Sequence, residues 1–158
     1  MEDQHGYILH HRVMRKEVDV DVAVPMVEGT LEKFREFNEC SFDKGFWSPE
    51  NRGRLSLLLD YLVLPKKGKL SRADKAREGS EKFAEGRRKH SAVESGIAAL
   101  ENQGLDRCLD HGIEGFESYV ALAVLGRNFQ KLGADLQAKA LKRVRRKTPN
   151  KGGLKRAA

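Results

Sequence analysis

From Gly6 to Met14 the chain reads GYILHHRVM, with Tyr7, Leu9, His11 and Val13 alternating against Ile8, His10, Arg12 and Met14. A period of two with β-branched and aromatic content predicts a strand, entered by a turn at Gln4-His5-Gly6. The period then changes. Val24, Val27, Leu31 and Phe34 recur at helical spacing, Asp19 or Asp21 is placed to cap that helix, and Pro25 is tolerable in its first turn. A short apolar run leads to Asp43, where Gly45 lets the backbone turn before Ser48-Pro49-Glu50 opens a new helix. Ser is a favoured N-cap, Pro suits the first helical position, and Glu suits the positive end of the helix dipole. Leu55, Leu58 and Leu59 mark an apolar face, and YLVLP from Tyr61 to Pro65 predicts a short buried strand. Alternation of this kind is the order of an α/β domain.

Beyond Pro65 every apolar pattern has the helical period. Ser71 predicts the cap of a highly charged helix reaching Arg88, Val93, Ile97 and Leu100 form the next stripe, and Gly104 is its stop signal. A last helix starts near Gly115; its first turns are apolar enough to predict burial. After Gly133 only Leu136, Leu141 and Val144 remain among polar and basic residues, and KTPNKGGLKRAA at the end is expected to be disordered. No internal repeat is visible.

Composition agrees with a single globular domain: 158 residues, 39% hydrophobic and 34% charged. No apolar run approaches the ~20 residues that cross a bilayer, and MEDQHGYILHH lacks the basic and apolar blocks of a signal peptide, which predicts no membrane partner and a cytoplasmic place. Cys40 and Cys108 are too few for a disulfide framework or a zinc site and are read as reduced core thiols. The net charge of +7 is uneven: Lys139 to Ala158 holds nine basic residues and no acid, leaving 21 basic against 23 acidic residues elsewhere. Pro65 to Lys89 holds ten basic and four acidic residues. Two basic segments around an acidic body suit phosphate binding outside a metal-binding centre, or simply a solvated helix face and tail.

Asp43, at the carboxyl end of a strand taken as central, sits where ligands of open α/β sheets collect. Glu94 adjoins the stripe Val93, Ile97, Leu100 and is the second acid best placed to approach it. Two converging carboxylates repel unless a divalent cation joins them, and magnesium takes such a sparse set, completed by water and phosphate oxygens. Turn and surface roles remain open for both acids. Lys66, Lys67 and Lys69 lie in a glycine-containing loop near the same sheet edge, suited to DNA phosphates. His90 precedes Glu94 by one turn and could reach a shared metal or phosphate. His10 and His11 point to opposite faces of a regular strand and are read as structural. Trp47 is read as a lid on the core rather than a base-stacking platform.

FDKGFWSPEN, VLPKKGKLS and HSAVESGIAALENQGLDRCLDHGIEGFESYVALAVLGRN, in this order and spacing, resemble the C-terminal part of the DDE-type transposases of bacterial insertion sequences. The likeness covers Glu2 to about Leu132. It implies a ribonuclease-H-like α/β fold, N-terminally incomplete, with a helical C-terminal half: residues 1–132 as a partial catalytic domain carrying a basic insertion at 65–89, and 133–158 as a basic tail. The family's Asp-Lys/Arg-Gly-aromatic stretch maps its second catalytic Asp onto Asp43. Its catalytic Glu, on a helix after the basic insertion and before a Gly-Leu-Asp-Arg turn, maps onto Glu94. The resemblance implies Mg2+ or Mn2+ held by Asp43 and Glu94, double-stranded DNA at element ends and target as partner, and a nucleoid-associated location; it leaves a homo-oligomer open.

The chain also departs from the family. Its opening matches the hairpin between the family's second and third strands, so the first catalytic Asp, which belongs on the first strand, has no good counterpart, and Asp3 in a turn is a poor substitute. Some relatives place Tyr, Arg and Lys around the catalytic Glu where this chain has Arg87, His90 and Glu101. Arg87 or His90 can still hold a phosphate, whereas Glu101 cannot replace a Lys. The expectation is a transposase-derived chain that is inactive alone, with a non-catalytic DNA-binding remnant or a metal-dependent nuclease of the same fold as alternatives.

Overall fold

Two short strands organise the first half of the chain. β1 (Glu39–Ser41) and β2 (Tyr61–Val63) run parallel, pairing Glu39 with Tyr61, Cys40 with Leu62 and Ser41 with Val63. A parallel pair requires a crossover, and α2 (Pro49–Leu58) supplies it. The computed structural model describes residues 1–101, 105, 107–109 and 111–147, leaving aside the side chains of residues 91–95, 97 and 147. Among the described residues the sheet has these two strands. β1 thus has a single strand neighbour, and the strand before Asp43 is not the central one the sequence suggested.

Helix α1 (Asp19–Lys33) buries Val22, Ala23, Val24, Val27 and Thr30. Asp19 is its first residue, and the cap is made by Asp21, whose carboxylate accepts from the Val18 N–H at 3.1 Å. Pro25 lies in the second turn rather than the first, inside the helix. Ala23, Val24 and Val27 join Phe42, Leu55, Leu59 and Leu64 in the core, which therefore draws on α1, α2 and both strand ends. Ser48 caps α2 as the sequence predicts, its hydroxyl accepting from the Asn51 N–H at 3.0 Å. Asn51 does more than the sequence suggests. Its buried side-chain amide donates to the carbonyls of Val20 at 2.8 Å and Phe46 at 3.0 Å, tying α2 to α1 and to the turn before it.

The predicted strand over Gly6–Met14 does not form; one isolated bridge, Glu2 to Ile8, is all the pairing there. A side chain takes the place of a neighbouring strand. Asn128 accepts from the Ile8 N–H and donates to the Ile8 carbonyl, both at 2.9 Å, which satisfies that peptide without a ladder. His10 lies 3.1 Å from the Thr30 hydroxyl and 3.3 Å from the Met26 carbonyl, beside Gly29, where a Cβ would meet the imidazole at 2.9 Å.

The predicted charged helix from Ser71 to Arg88 is two helices, α3 (Arg72–Glu78) and α4 (Glu81–Leu100), broken at Gly79-Ser80. Ser80 starts anew: its backbone carbonyl accepts from Ala84, and its hydroxyl lies 3.4 Å from the Phe83 amide. Phe83 is fully buried, and Gly86 one turn later lets α4 lie against β2, because a Cβ there would stand 2.5 Å from Val63 Cγ2. α5 (Gly112–Lys147) begins three residues before Gly115 and runs unbroken past residue 133. Its first turns are not buried as predicted: Val124 is, but Leu122, Leu125 and Phe129 are exposed, because no described element covers that side. The Gly104 stop and the segment after Lys147 lie outside the described residues.

Two substitutions test this packing. Gly86→Ala should destabilise by about 1–3 kcal/mol, because the buried Val63 has nowhere to move. Asn51→Ala should cost about 1–3 kcal/mol by leaving two carbonyls without donors. Urea denaturation read by circular dichroism measures both, and a change within error at either position would contradict the assignment.

Candidate functional site

The parallel pair ends at Ser41 and Val63, and the loops that follow both strands open on the same side. Phe42 continues the ladder, its N–H donating to the Val63 carbonyl at 2.8 Å, and Asp43 comes next at the start of a 3₁₀ turn over Lys44–Phe46. Gly45 leaves room for the Asp19 carboxylate, which a Cβ there would meet at 2.7 Å and have to displace. The Asp43 carboxylate is 75% exposed, and His90 of α4 faces it with Nε2 3.2 Å from Oδ1, an ion pair whenever the imidazole is protonated. Residues 43 and 90 are brought together by the packing of α4 on the strand pair, where Gly86 meets Val63 one turn earlier and Lys82 reaches Glu39 and the Tyr61 ring.

A cleft of about 450 Å³ opens at this point, lined on one side by Asp43 and Lys44 and on the other by Lys66, Gly68, Arg87 and His90. Four of the residues singled out in the sequence, Asp43, Lys66, Arg87 and His90, thus share one cavity. Glu94 lies on α4 one turn beyond His90, on the same helical face, but its side chain is outside the described residues. Lys67 and Lys69 are exposed in the adjoining loop. Asp3 is occupied as a turn cap, its carboxylate accepting from the N–H groups of His5 and Tyr7, both at 2.8 Å.

Lys66, expected either at DNA phosphates or simply in solvent, makes an ion pair within the chain. Its ammonium donates to Asp74 at 2.6 Å, and Asp74 is buried while also accepting from Ser71 Oγ at 2.7 Å and Arg52 at 3.1 Å. Lys66 first, and then Ser71, hold the Asp74 carboxyl well below the usual carboxylate range. Glu78 anchors the same loop by accepting from the Lys66 N–H at 2.8 Å. The start of the basic segment is thereby fixed to the body, while Lys67, Lys69, Arg72 and Lys75 stay exposed. Lys44 and Glu78 were not singled out from sequence; adjacency to Asp43 was a signal for the first, and nothing local signals the second.

The other residues of interest have structural surroundings. Trp47 is half-buried against the core, as a lid would be, with the Lys66 ammonium 6.0 Å from its ring centre. Burial pushes the Cys40 thiol up to about 12, which suits packing rather than nucleophilic chemistry. Among the described residues no disulfide forms and no group of three His, Cys, Asp or Glu side chains is arranged to hold a metal. No described helix is long and apolar enough to cross a membrane. The chain matches no family model, no curated protein and no solved structure.

The Asp74 cluster sets an acid limb to stability. Its folded value lies below its ordinary 3.8, so its contribution is complete above that pH and is lost as pH falls through the folded value. Denaturant titrations between pH 7 and pH 3 should show the stability gap between the native chain and Asp74→Asn constant near neutrality and narrowing in acid. A gap that widens in acid would reverse the assignment.

Proposed function

We propose that this chain is part of the ribonuclease-H-like catalytic domain of a DDE-type insertion-sequence transposase, acting on double-stranded DNA in the cytoplasm. What supports the reading is one meeting of residues: Asp43, closing β1, faces His90, one turn before Glu94, inside a cleft that also holds Arg87. Asp43 and Glu94 are the two acids that the resemblance assigns to catalysis and to the metal, Mg2+ or Mn2+.

The described residues alone do not fit that cation. Asp43 and Glu78 both line the cleft, but Glu78 is engaged by the Lys66 N–H and by Arg77, and an imidazole faces Asp43 where a second oxygen donor is required. Asp43 and Glu94 are the residues that would hold a divalent ion by the resemblance, and it would supply Lewis-acid stabilisation of charge at phosphorus there. The chain's own residues have simpler tasks. Arg87, Lys67 and Lys69 offer cations to phosphates, Lys66 and Asp74 fix the loop that carries two of them, and His90 orients the Asp43 carboxylate.

The basic loop and the Arg87 side of the cleft also support a second reading, a DNA-binding protein without catalysis. The two readings separate on metal binding. Paramagnetic resonance of Mn2+ should show one bound ion that is lost in Asp43→Asn and in Glu94→Gln; binding unchanged in both variants would leave only the second reading. DNA affinity should fall steeply with salt, and the slope of log K against log salt should drop by about 0.9 for each phosphate contact removed in Lys67→Ala, Lys69→Ala or Arg87→Ala. Affinity independent of salt would exclude both. The resemblance gives counterparts to two of the family's three acids, so plasmid incubated with this chain and Mg2+ should stay intact. Nicking that disappears in Asp43→Ala would overturn that expectation.

A further inference from the structure

Helix α5 carries apolar residues on two faces, and the body of the protein covers one. On the covered side lie Val124, which is buried, and Asn128, which clamps Ile8; a turn later come Lys131 and Asp135, which hold Tyr7. On the other side Leu122, Leu125, Phe129, Leu132 and Leu136 follow one another at alternating steps of three and four, each between 43% and 66% exposed. At 3.6 residues per turn these five fall within an arc of about 80°, roughly 110° round the helix from the covered face. Leu122, Phe129 and Leu136 take the a positions of a heptad and Leu125 and Leu132 the d positions, the pattern of a coiled-coil seam. A helix that is apolar on both sides belongs in an interior.

We infer that the Leu122–Leu136 face of α5 binds a second copy of this chain, helix against helix in antiparallel orientation, to form a two-fold dimer. Two observations select that occupant. A two-fold axis near Phe129 sets Leu122 of one copy against Leu136 of the other and places Leu125 and Leu132 opposite Gly133 and Gly126, as an isologous interface allows. At roughly 100 Å² per side chain, the five residues of two copies bury on the order of 1,000 Å², which reaches the area of a specific interface before the flanking residues are counted.

Charge fixes the direction. Glu114 is exposed at the start of α5, whereas Lys139 and Arg143 are exposed beyond the seam's other end, all three near the seam's side of the helix. Parallel pairing would set Lys139 and Arg143 against their own copies; antiparallel pairing sets Glu114 beside Arg143 of the second copy and also opposes the two helix dipoles. Close approach is open along the seam's border, since a Cβ on Gly126 or Gly133 would meet nothing within 4 Å.

Sedimentation equilibrium of the full chain should give a reversible monomer–dimer equilibrium. The double substitution Leu125→Glu, Phe129→Glu should weaken it by roughly 30-fold or more, as loss of a central anchor does. Its far-UV circular dichroism should match that of the native chain, because both side chains are exposed. With Cys40 and Cys108 replaced by Ala, Phe129→Cys should form an intermolecular disulfide on oxidation and Arg143→Cys should not. A native chain that stays monomeric up to about 100 μM, where weak specific association is still visible, would overturn the proposal, as would a double variant that dimerises equally well. Cross-linking at residue 143 but not at 129 would overturn the antiparallel orientation.

Discussion

Helix α4 can lie against β2 only because residue 86 has no side chain. A Cβ at that point would sit 2.5 Å from a methyl group of Val63, which is itself buried and cannot withdraw. That close approach sets the height of α4 over the strand pair, and one turn further along it delivers His90 to Asp43. The Arg87 and His90 side of the cleft inherits its geometry from this packing, whereas the lysine loop opposite is held by Asp74 and Glu78. A parallel pair of three-residue strands has little stability of its own, so the helices that cover it also determine where its ends point.

Polar side chains perform much of the work usually done by backbone ladders. Asn51 joins two helices and a turn, Asn128 satisfies a peptide that has no strand beside it, and Asp74 gathers Lys66, Ser71 and Arg52 onto a buried carboxylate. A buried group of this kind stabilises only while all its partners are present, because a donor or acceptor left alone keeps the full cost of its desolvation. The basic content of the middle segment therefore divides in two. Lys66 and Arg52 are committed to the fold, whereas Lys44, Lys67, Lys69 and Arg87 keep exposed side chains.

Local signals in the sequence were read well and long-range ones were not. Ser48-Pro49 and Ser71 start helices where their capping chemistry says they should, and the strand pair falls where β-rich apolar runs end at Asp43 and Pro65. GYILHHRVM alternates like a strand, but a strand needs a partner, and the partner here is the side chain of Asn128, 120 residues away. Gly79 broke a helix that charge patterning joined. Asp43, Lys66, Arg87 and His90 were picked out one by one, yet that Asp43 meets His90 and that Asp74 claims Lys66 are facts of packing over distances no periodicity reports. The first turns of α5 were read as buried because apolar residues on every side imply it; the body covers only one side.

At 1.5 Å per residue the 36 residues of α5 make a rod about 54 Å long, and six of its last nine residues are Lys or Arg. Concentrating so many cations at one end gives each chain a strongly positive pole, and in the antiparallel pair the two poles stand at opposite ends of the helix pair. In the field of any polyanion those basic tips are drawn in first.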